Sequence, residues 1–343
     1  MSGLTSGERD AVAARLESVG VELAGPLAAT QIAGGRSNLT FRLDDGISRW
    51  VLRMPPRTGR TPSAHDVARE HRVTGGLRNT AVPIAAPVLL QEDERDLGSP
   101  YTVADFVEGT TIQSADDLDR LDDATVRSVV DQLVETLAAL HRVDHVAIGL
   151  ERFGRPDGYA ARQVRRWAGQ WELVGTAEPD ARRAATELAA QLARLVPGQV
   201  RVGIVHGDYR IDNTILRVGE FPSIAAVVDW ELSTIGDPAA DVALMCAYRN
   251  RAFDLIVGAP SAWTSDRLPE PDELAAAYET LSGRTLSDWD FHVALAHFKV
   301  AVIAAGIDHR RREGSGAGDG FDTAGQAVLP FLEAGLARIG AVR

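Results

Sequence analysis

Val205-His206-Gly207-Asp208-Tyr209-Arg210-Ile211-Asp212-Asn213, followed sixteen residues after Asn213 by Asp229-Trp230-Glu231, is the stretch on which the reading of this chain turns. Residues 202–206 and 224–229 are short apolar runs of β character, so Asp208 and Asp229 each follow a strand end and are expected to project into one cleft. Two carboxylates and a carboxamide placed in this way suit phosphoryl transfer. One carboxylate accepts the proton of a substrate hydroxyl, while the other oxygens hold Mg²⁺ against nucleotide phosphates. The plainer alternative is that Asp208 and Asn213 only hydrogen-bond within a tight loop.

Working outward, the offsets match the protein-kinase pattern in which H-R-D-x-x-x-x-N is followed by D-F-G. His206-Gly207-Asp208 keeps Asn213 at the same distance, and Asp229 stands before Trp230-Glu231. Earlier in the chain, residues 8–19 have helical spacing, and the apolar runs at 39–43 and 50–54 predict a hairpin across Asp44-Asp45-Gly46. Pro55-Pro56 ends the second strand, residues 67–77 predict a helix, and residues 88–91 and 101–106 predict another hairpin across the charged turn at 92–96. Beyond Gly109 the pattern changes to amphipathic helices at 125–141, 158–171, 181–195, 272–281 and 288–307. The glycine-rich segment 314–320 reads as a linker between helices, with a mobile lid as the rival reading.

At 343 residues the chain is long enough for about two lobes, and its 45% hydrophobic and 24% charged residues are ordinary globular usage. The balance of 36 basic against 48 acidic residues, a formal charge of −12, opposes attraction to nucleic acid or to an anionic membrane. Cys246 is the single cysteine, which excludes an internal disulfide and a multi-thiolate zinc site and fits a reducing cytoplasm. Residues 1–10 are polar, and the longest apolar run, 298–307, is interrupted by Lys299 and too short to span a bilayer, so no membrane partner is expected. Lys299 is also the only lysine. No glycine loop precedes it, which rules out the phosphate-binding pattern GxxxxGK[ST].

Further stretches add to the catalytic pattern: Gly34-Gly35-Arg36-Ser37-Asn38-Leu39-Thr40-Phe41, Val51-Leu52-Arg53-Met54-Pro55-Pro56, Arg162-Gln163 with Arg166-Trp167, and Asp229-Trp230-Glu231-Leu232-Ser233-Thr234 running into Gly236-Asp237-Pro238. With them the chain resembles the aminoglycoside phosphotransferase superfamily of small-molecule kinases, and within it the branch fused to, or encoded beside, acyl-CoA dehydrogenases. The resemblance implies an α+β, two-lobed, protein-kinase-like fold. An antiparallel-sheet nucleotide-binding lobe (1–104) leads through a hinge (105–109) to a mainly helical catalytic and substrate-binding lobe (110–343). It implies ATP and Mg²⁺ as cofactors, Asp208 as catalytic base, and Asn213 and Asp229 as metal ligands, with His206 and Asp241 as braces. Gly34, Gly35, Ser37 and Asn38 fall where a loop covers the nucleotide phosphates. The backbone C=O of Asp105 and N–H of Val107 fall where the hinge meets an adenine edge.

Arg53 is the departure from the wider fold, most of whose members carry a lysine there, paired to a helix glutamate. The first lobe has no lysine, so by the resemblance either Arg53, with Glu70 as its partner, takes the catalytic phosphate-contacting role, which its bidentate guanidinium can fill, or no residue does. Glu70 also has a plainer reading as a solvated helix-face charge. Only residues 232–235 separate Glu231 from Gly236, which leaves no room for an activation segment or a peptide-docking groove.

The acceptor is expected in the helical lobe. Arg162, Arg165, Arg166 and Trp167 with Trp171 make a basic and aromatic cluster, to which Lys299 and Arg310-Arg311-Arg312 add charge, although such a helix also reads as a solvated face with a core tryptophan. This suits an anionic acceptor, and hydroxyacyl-CoA is the class the branch implies. The rivals are phosphorylation of an aminoglycoside or a choline-like alcohol, and a nucleotide-binding pseudokinase acting as a regulatory module. His141 and His145 share a metal-ligand spacing but lack a third ligand nearby, and read as structural.

Overall fold

The structure, a computed structural model, describes residues 3–32, 38–56, 66–219, 222–314 and 318–340. Thr5 starts helix α1 (Ser6–Ser18) through a reciprocal capping box with Glu8. Strands β1 (Ala28–Gln31), β2 (Leu39–Asp44), β3 (Arg49–Met54), β4 (Pro87–Gln91) and β5 (Tyr101–Asp105) follow. They form one antiparallel sheet in the order β1-β2-β3-β5-β4. The β2–β3 turn is held by Asp45, whose carboxylate accepts the N–H groups of Ile47 and Ser48.

Strand alternation then sorts the side chains. Phe41, Leu43, Leu52 and Met54 point to a core shared with Val12 and Leu16 of α1, whereas Thr40, Arg42, Val51 and Arg53 on the opposite face line a cleft. Helix α2 (Val67–Leu77), capped by Asp66, lies over this second face. Its Val73 and Leu77 belong to the large helical core, while Glu70 faces β3. One helix therefore couples the sheet to the rest of the molecule.

After β5 the chain crosses to the helical part, where Thr110 and Leu216 exchange two backbone hydrogen bonds of 2.8 Å. Helices α3 (Ala115–Asp119), α4 (Asp123–Arg142), α5 (Tyr159–Val174) and α6 (Pro179–Arg194) precede two small antiparallel pairs. These are β6 (Gly203–Val205) with β9 (Thr234–Gly236), and β7 (Thr214–Arg217) with β8 (Ser223–Val227). Helices α7 (Ala239–Ala247), α8 (Phe253–Val257), α9 (Pro271–Ser282), α10 (Trp289–Arg312) and α11 (Ala324–Ile339) complete the fold. α10 runs through the core against α11, α7 and α5. By length and composition it could cross a membrane, but 67% of its apolar window is buried inside the protein, as in a core helix. Phe298 of α10 and Phe331 of α11 are fully buried, a burial that stabilises by roughly 1.5–3 kcal/mol for each side chain.

The expected α+β fold, an antiparallel sheet followed by a helical body, is present, and the differences from the sequence reading are local. α10 continues to Arg312 rather than stopping near 307, because its last turn is basic and Arg311 and Arg312 both pair with Asp308. β1 and β9 carry too little apolar periodicity to be read, and α7 is apolar on nearly every face because it is buried all round. The glycine-rich segment lies partly outside the described residues. Within it Gly320 packs against the chain at Ile256 and Gly258, where a Cβ added to Gly258 or Gly320 would overlap backbone atoms.

Candidate active site

β6 ends at Val205, and the loop that follows is held on both sides. Asp241, fully buried on α7, accepts the N–H of His206 at 2.6 Å on Oδ2 and the N–H of Gly207 at 2.7 Å on Oδ1. His141 of α4 stands 3.3 Å from the same carboxylate and 2.8 Å from the Tyr278 hydroxyl. Gly207 has φ +88°, and a Cβ there would lie 2.8 Å from the Leu232 carbonyl oxygen, so the turn needs glycine both for its torsion and for the approach of the second motif. His206 completes the fastening: its Nδ1 accepts the N–H of Asp208 at 3.2 Å, and its Nε2 sits 3.0 Å from the Val228 carbonyl oxygen.

Asp208 is thereby fixed at the loop's tip with 15% of its side chain exposed. Asn213 donates its Nδ2 to the Asp208 backbone oxygen at 2.7 Å and to Oδ2 at 3.0 Å. Arg210 pairs with Asp208 at 3.2 Å and with Asp212 at 3.2 Å, its guanidinium stacked about 5 Å from the rings of Tyr248 and Phe253. Burial pushes the Asp208 carboxyl up, but Arg210, the Tyr248 hydroxyl and Lys299 outweigh it and hold it below its ordinary value. Asp208 is thus ionised at neutral pH.

The two motifs meet because Val228 donates to the Asn213 carbonyl oxygen at 2.9 Å. Asp229, next in the chain, takes the left-handed conformation at φ +65°, uncommon outside glycine but accessible to Asp, and its carboxylate meets Arg53 of β3 at 3.1 Å. The other guanidinium nitrogen of Arg53 bonds Glu70 at 2.8 Å. A single arginine thus ties β3, α2 and the Asp229 motif together. Burial raises the Glu70 carboxyl, with Arg53 opposing, while Arg53 itself stays above its ordinary value because Glu70 and Asp229 outweigh its desolvation.

Arg53, Glu70 and Val228 line a cleft of about 620 Å³ between the exposed face of the sheet and strands β7 and β8. Val51, Ala104, Phe106, Ile215 and Val227 supply apolar walls, and the chain at Asp105 and Val107 forms one rim. The Nε of Arg53 is buried without a hydrogen-bond partner, a spare donor of a cation that suits a phosphate oxygen. A metal fits in the same sense. Both N–H groups of the Asn213 carboxamide are spent on Asp208, its oxygen accepts nothing among the described residues, and Asp229 is 35% exposed. Among the described residues no three His, Cys, Asp or Glu side chains form a metal cage.

Of the residues singled out from sequence, Arg53, Glu70, Asp105 and Val107 line the cleft and Asp208, Asn213 and Asp229 adjoin it. Asn38 is buried, and its Nδ2 donates to Glu231 at 3.3 Å; Gly34, Gly35 and Ser37 lie outside the described residues. Three contacts escaped the sequence reading, although Lys299 itself was expected to add charge on the acceptor side. Arg210 was visible two positions after Asp208, but its pairing required knowing that the loop doubles back. Arg69 bonds the Ser233 and Phe153 carbonyl oxygens at 2.7 and 2.9 Å, and Lys299 bonds the Gly207 carbonyl oxygen at 2.9 Å. Both are long-range contacts that no local pattern encodes.

Comparison with known proteins bears on the family and the fold. Residues 28–292 match the profile of the phosphotransferase enzyme family. Acyl-CoA dehydrogenase family member 11 of Gallus gallus is 34% identical over 320 residues, covering 91% of this chain and 40% of the relative. Acyl-CoA dehydrogenase family member 10 of Mus musculus is 32% identical over 300 residues, 86% of this chain and 28% of that one. The chain therefore spans less than half the length of these relatives. Among solved structures, a protein of Ralstonia eutropha assigned to the aminoglycoside phosphotransferases superposes with a TM-score of 0.82 and 31% identity, covering 96% of this chain and 98% of that one. The aminoglycoside phosphotransferase APH(4)-Ia, in a ternary complex with AMP-PNP and hygromycin B, superposes with a TM-score of 0.62 at 17% identity, covering 96% and 99%, a likeness of fold. The motif pair, the cleft and the matched span together place the chain in the phosphotransferase enzyme family, with the kinase-like aminoglycoside phosphotransferase fold.

Proposed function

We propose that this protein transfers the γ-phosphoryl group of ATP, with Mg²⁺, to the hydroxyl of a small anionic acceptor, hydroxyacyl-CoA being the favoured class. The observation that carries the reading is the junction of the two motifs, where Asp208 is locked to Asn213 at 3.0 Å and Asp229 to Arg53 at 3.1 Å, Arg53 itself lining the open cleft. Asp105 and Val107 would offer their backbone to the base, with Val51, Ala104 and Ile215 enclosing the ring. Arg53, steadied by Glu70, would orient the phosphates. Asn213 and Asp229 would hold the metal, which when bound neutralises phosphate charge. Asp208, ionised and backed by Arg210, accepts the acceptor's hydroxyl proton as the oxygen–phosphorus bond forms and the bond to ADP breaks; the proton then passes to solvent. The acyl class is supported by the dehydrogenase relatives and by the cationic groups on α5 and α10. A cytoplasmic setting is part of this proposal, consistent with a single buried thiol, Cys246.

Aminoglycoside phosphorylation is the second reading, favoured by the 31% identity to the Ralstonia protein. The test is ADP release from Mg·ATP over hydroxyacyl-CoAs, aminoglycosides and choline-like alcohols, with Asp208→Asn as control. Turnover with the CoA thioesters alone, absent in the variant, is expected; turnover with the aminoglycosides alone would replace the favoured class by the second reading.

A further inference from the structure

Beside the catalytic loop lies a second, small pocket of about 40 Å³, separate from the nucleotide cleft and lined by Tyr159, Gln163, Trp167, Gly207, Leu244 and Lys299 among others. Its volume suits a group of a few atoms. Lys299, the only lysine of the chain, extends from α10 along the face of Trp167, 5.7 Å from the ring centroid, and makes one hydrogen bond among the described residues, to the carbonyl oxygen of Gly207. The ammonium has three donors, so two remain unspent. On the facing turn of α5 the Oε1 of Gln163 accepts the Trp167 indole N–H at 3.2 Å, which leaves the Gln163 NH₂ group as a further donor with no partner among the described residues. The one carboxylate lining the pocket, Asp241, has both oxygens taken up by the His206 and Gly207 N–H groups, with His141 beside them. Lys299 and Gln163 thus present spare donors to the pocket, beside Tyr159 and His292, one residue away from Asp208. Arg166 stacks on Trp167 at 5.2 Å and is exposed, extending the cationic character outward.

We infer that Lys299 and Gln163, arrayed against Trp167, form an acyl-oxygen subsite that binds the carboxylate or thioester carbonyl of a hydroxylated acyl acceptor and so presents its hydroxyl to Asp208. This rests on the phosphotransfer reading and adds the residues that select the acceptor. An oxygen acceptor satisfies the spare donors of a partly buried cation, whose loss of hydration Asp208 and Asp241 offset only in part. A polyamine would instead meet an ammonium and a carboxamide NH₂. Recognition by the Lys299 and Gln163 donors disfavours the wrong class by leaving its groups unpaired.

The test measures binding without turnover. Wild type, Lys299→Met, Lys299→Arg and Gln163→Leu, each saturated with Mg·AMP-PNP, are titrated calorimetrically with free hydroxybutyrate, with positional isomers of hydroxybutyryl-CoA and with kanamycin. Lys299→Met is expected to weaken the acyl probes by about 10- to 100-fold, as for loss of a charged hydrogen bond. Gln163→Leu should weaken them by about three- to tenfold, Lys299→Arg should recover part of the loss, and AMP-PNP affinity should stay within about twofold of wild type. Tighter binding of the thioester marks the carbonyl as the group read, and tighter binding of the free acid marks the carboxylate; either supports the subsite. Unchanged acyl binding in both Lys299→Met and Gln163→Leu overturns it, as does an equal fall in AMP-PNP affinity, which would make Lys299 only a brace for Gly207. Should Lys299→Met fail to fold, Gln163→Leu on the half-buried face of α5 carries the decision. If wild type binds acyl probes but releases no ADP with any acceptor, the phosphotransfer reading fails while the subsite stands; turnover of another acceptor with no acyl binding does the reverse.

Discussion

Replacing Arg53 by methionine removes the group that joins β3, α2 and Asp229, and the structure sets the size of the effect. The side chains of Arg53 and Glu70 are 18% and 11% exposed, so the methionine variant leaves a nearly buried carboxylate without its cation. Breaking one side of a buried ion pair costs about 3–5 kcal/mol, and at about 2 °C per kcal/mol for a chain of this size the midpoint should fall by about 6–10 °C. Arg53→Lys keeps the charge but cannot span Glu70 at 2.8 Å and Asp229 at 3.1 Å with one planar fork, so an intermediate loss is expected. The penalty should also depend on pH. Burial raises Glu70, and without Arg53 the rise is larger. A raised carboxyl favours the folded state while protonated, and that contribution disappears as pH climbs through the folded value. The deficit relative to wild type should therefore be smaller near about pH 5 than near about pH 8. Thermal and urea unfolding of Arg53→Met, Glu70→Gln and the double variant check this. A coupling energy below about 0.5 kcal/mol between the two sites, or a pH-independent deficit, would refute the reasoning.

The site makes two further predictions. Asp208→Asn should lower kcat by about 10²- to 10⁴-fold while leaving nucleotide affinity near wild type. Asp229→Asn should weaken Mg²⁺-dependent nucleotide binding as well, and equal effects of the two substitutions in a binding titration would contradict the separate roles. Gly207→Ala places a Cβ 2.8 Å from the Leu232 carbonyl oxygen at a backbone with φ +88°, and should cost roughly 1–3 kcal/mol of stability and displace Asp208; a variant with unchanged melting and kcat would show that the loop tolerates the shift.

Much of the nucleotide side of the molecule was legible because the determinants are local. The period-two alternation of β2 and β3 already separates Phe41 and Leu52 from Thr40 and Arg53, and the sequence interval between Arg53 and α2 already offers Glu70 as partner. Asp208 and Asn213 sit five residues apart within one turn, so their hydrogen bond follows from spacing. The acceptor side was less legible for the opposite reason. Lys299 reaches Gly207 across 92 positions, and Asp254, whose Oδ1 accepts from Ser261 and Thr264, organises a loop that no periodicity marks. Asn38 shows how a residue read from motif position acquires a second role from the fold: its carboxamide is bonded to Glu231, in the Asp229 motif, across 193 positions. A side chain's partner at such separations is set by how α5, α7 and α10 pack.

Asp241 shows why the packing behind the loop matters as much as the residues at its tip. Its two oxygens hold the peptides on either side of His206, so the direction in which Asp208 leaves the loop is fixed from α7, and through His141 and Tyr278 from α4 and α9. Asparagine has nearly the same shape but only one acceptor oxygen, and its NH₂ would face an N–H that donates. One buried backbone donor is then orphaned, which costs about 1–3 kcal/mol or somewhat more for a group that had bonded a charge. The effect on acid stability has a definite sign. Burial raises Asp241, but His141 and the loop N–H groups more than reverse this and hold it below its ordinary value. Its carboxylate therefore stabilises the fold above the ordinary Asp range and loses that contribution as pH falls through the depressed value. Asp241→Asn should accordingly be less stable than wild type at neutral pH, with a gap that closes on acidification. Because Asp241 does not line the nucleotide cleft, ATP affinity should hold while kcat falls. A loss of ATP binding in step with kcat would mean that the loop and the nucleotide cleft respond as one unit, and that Asp241 supports the whole site rather than the placement of one carboxylate.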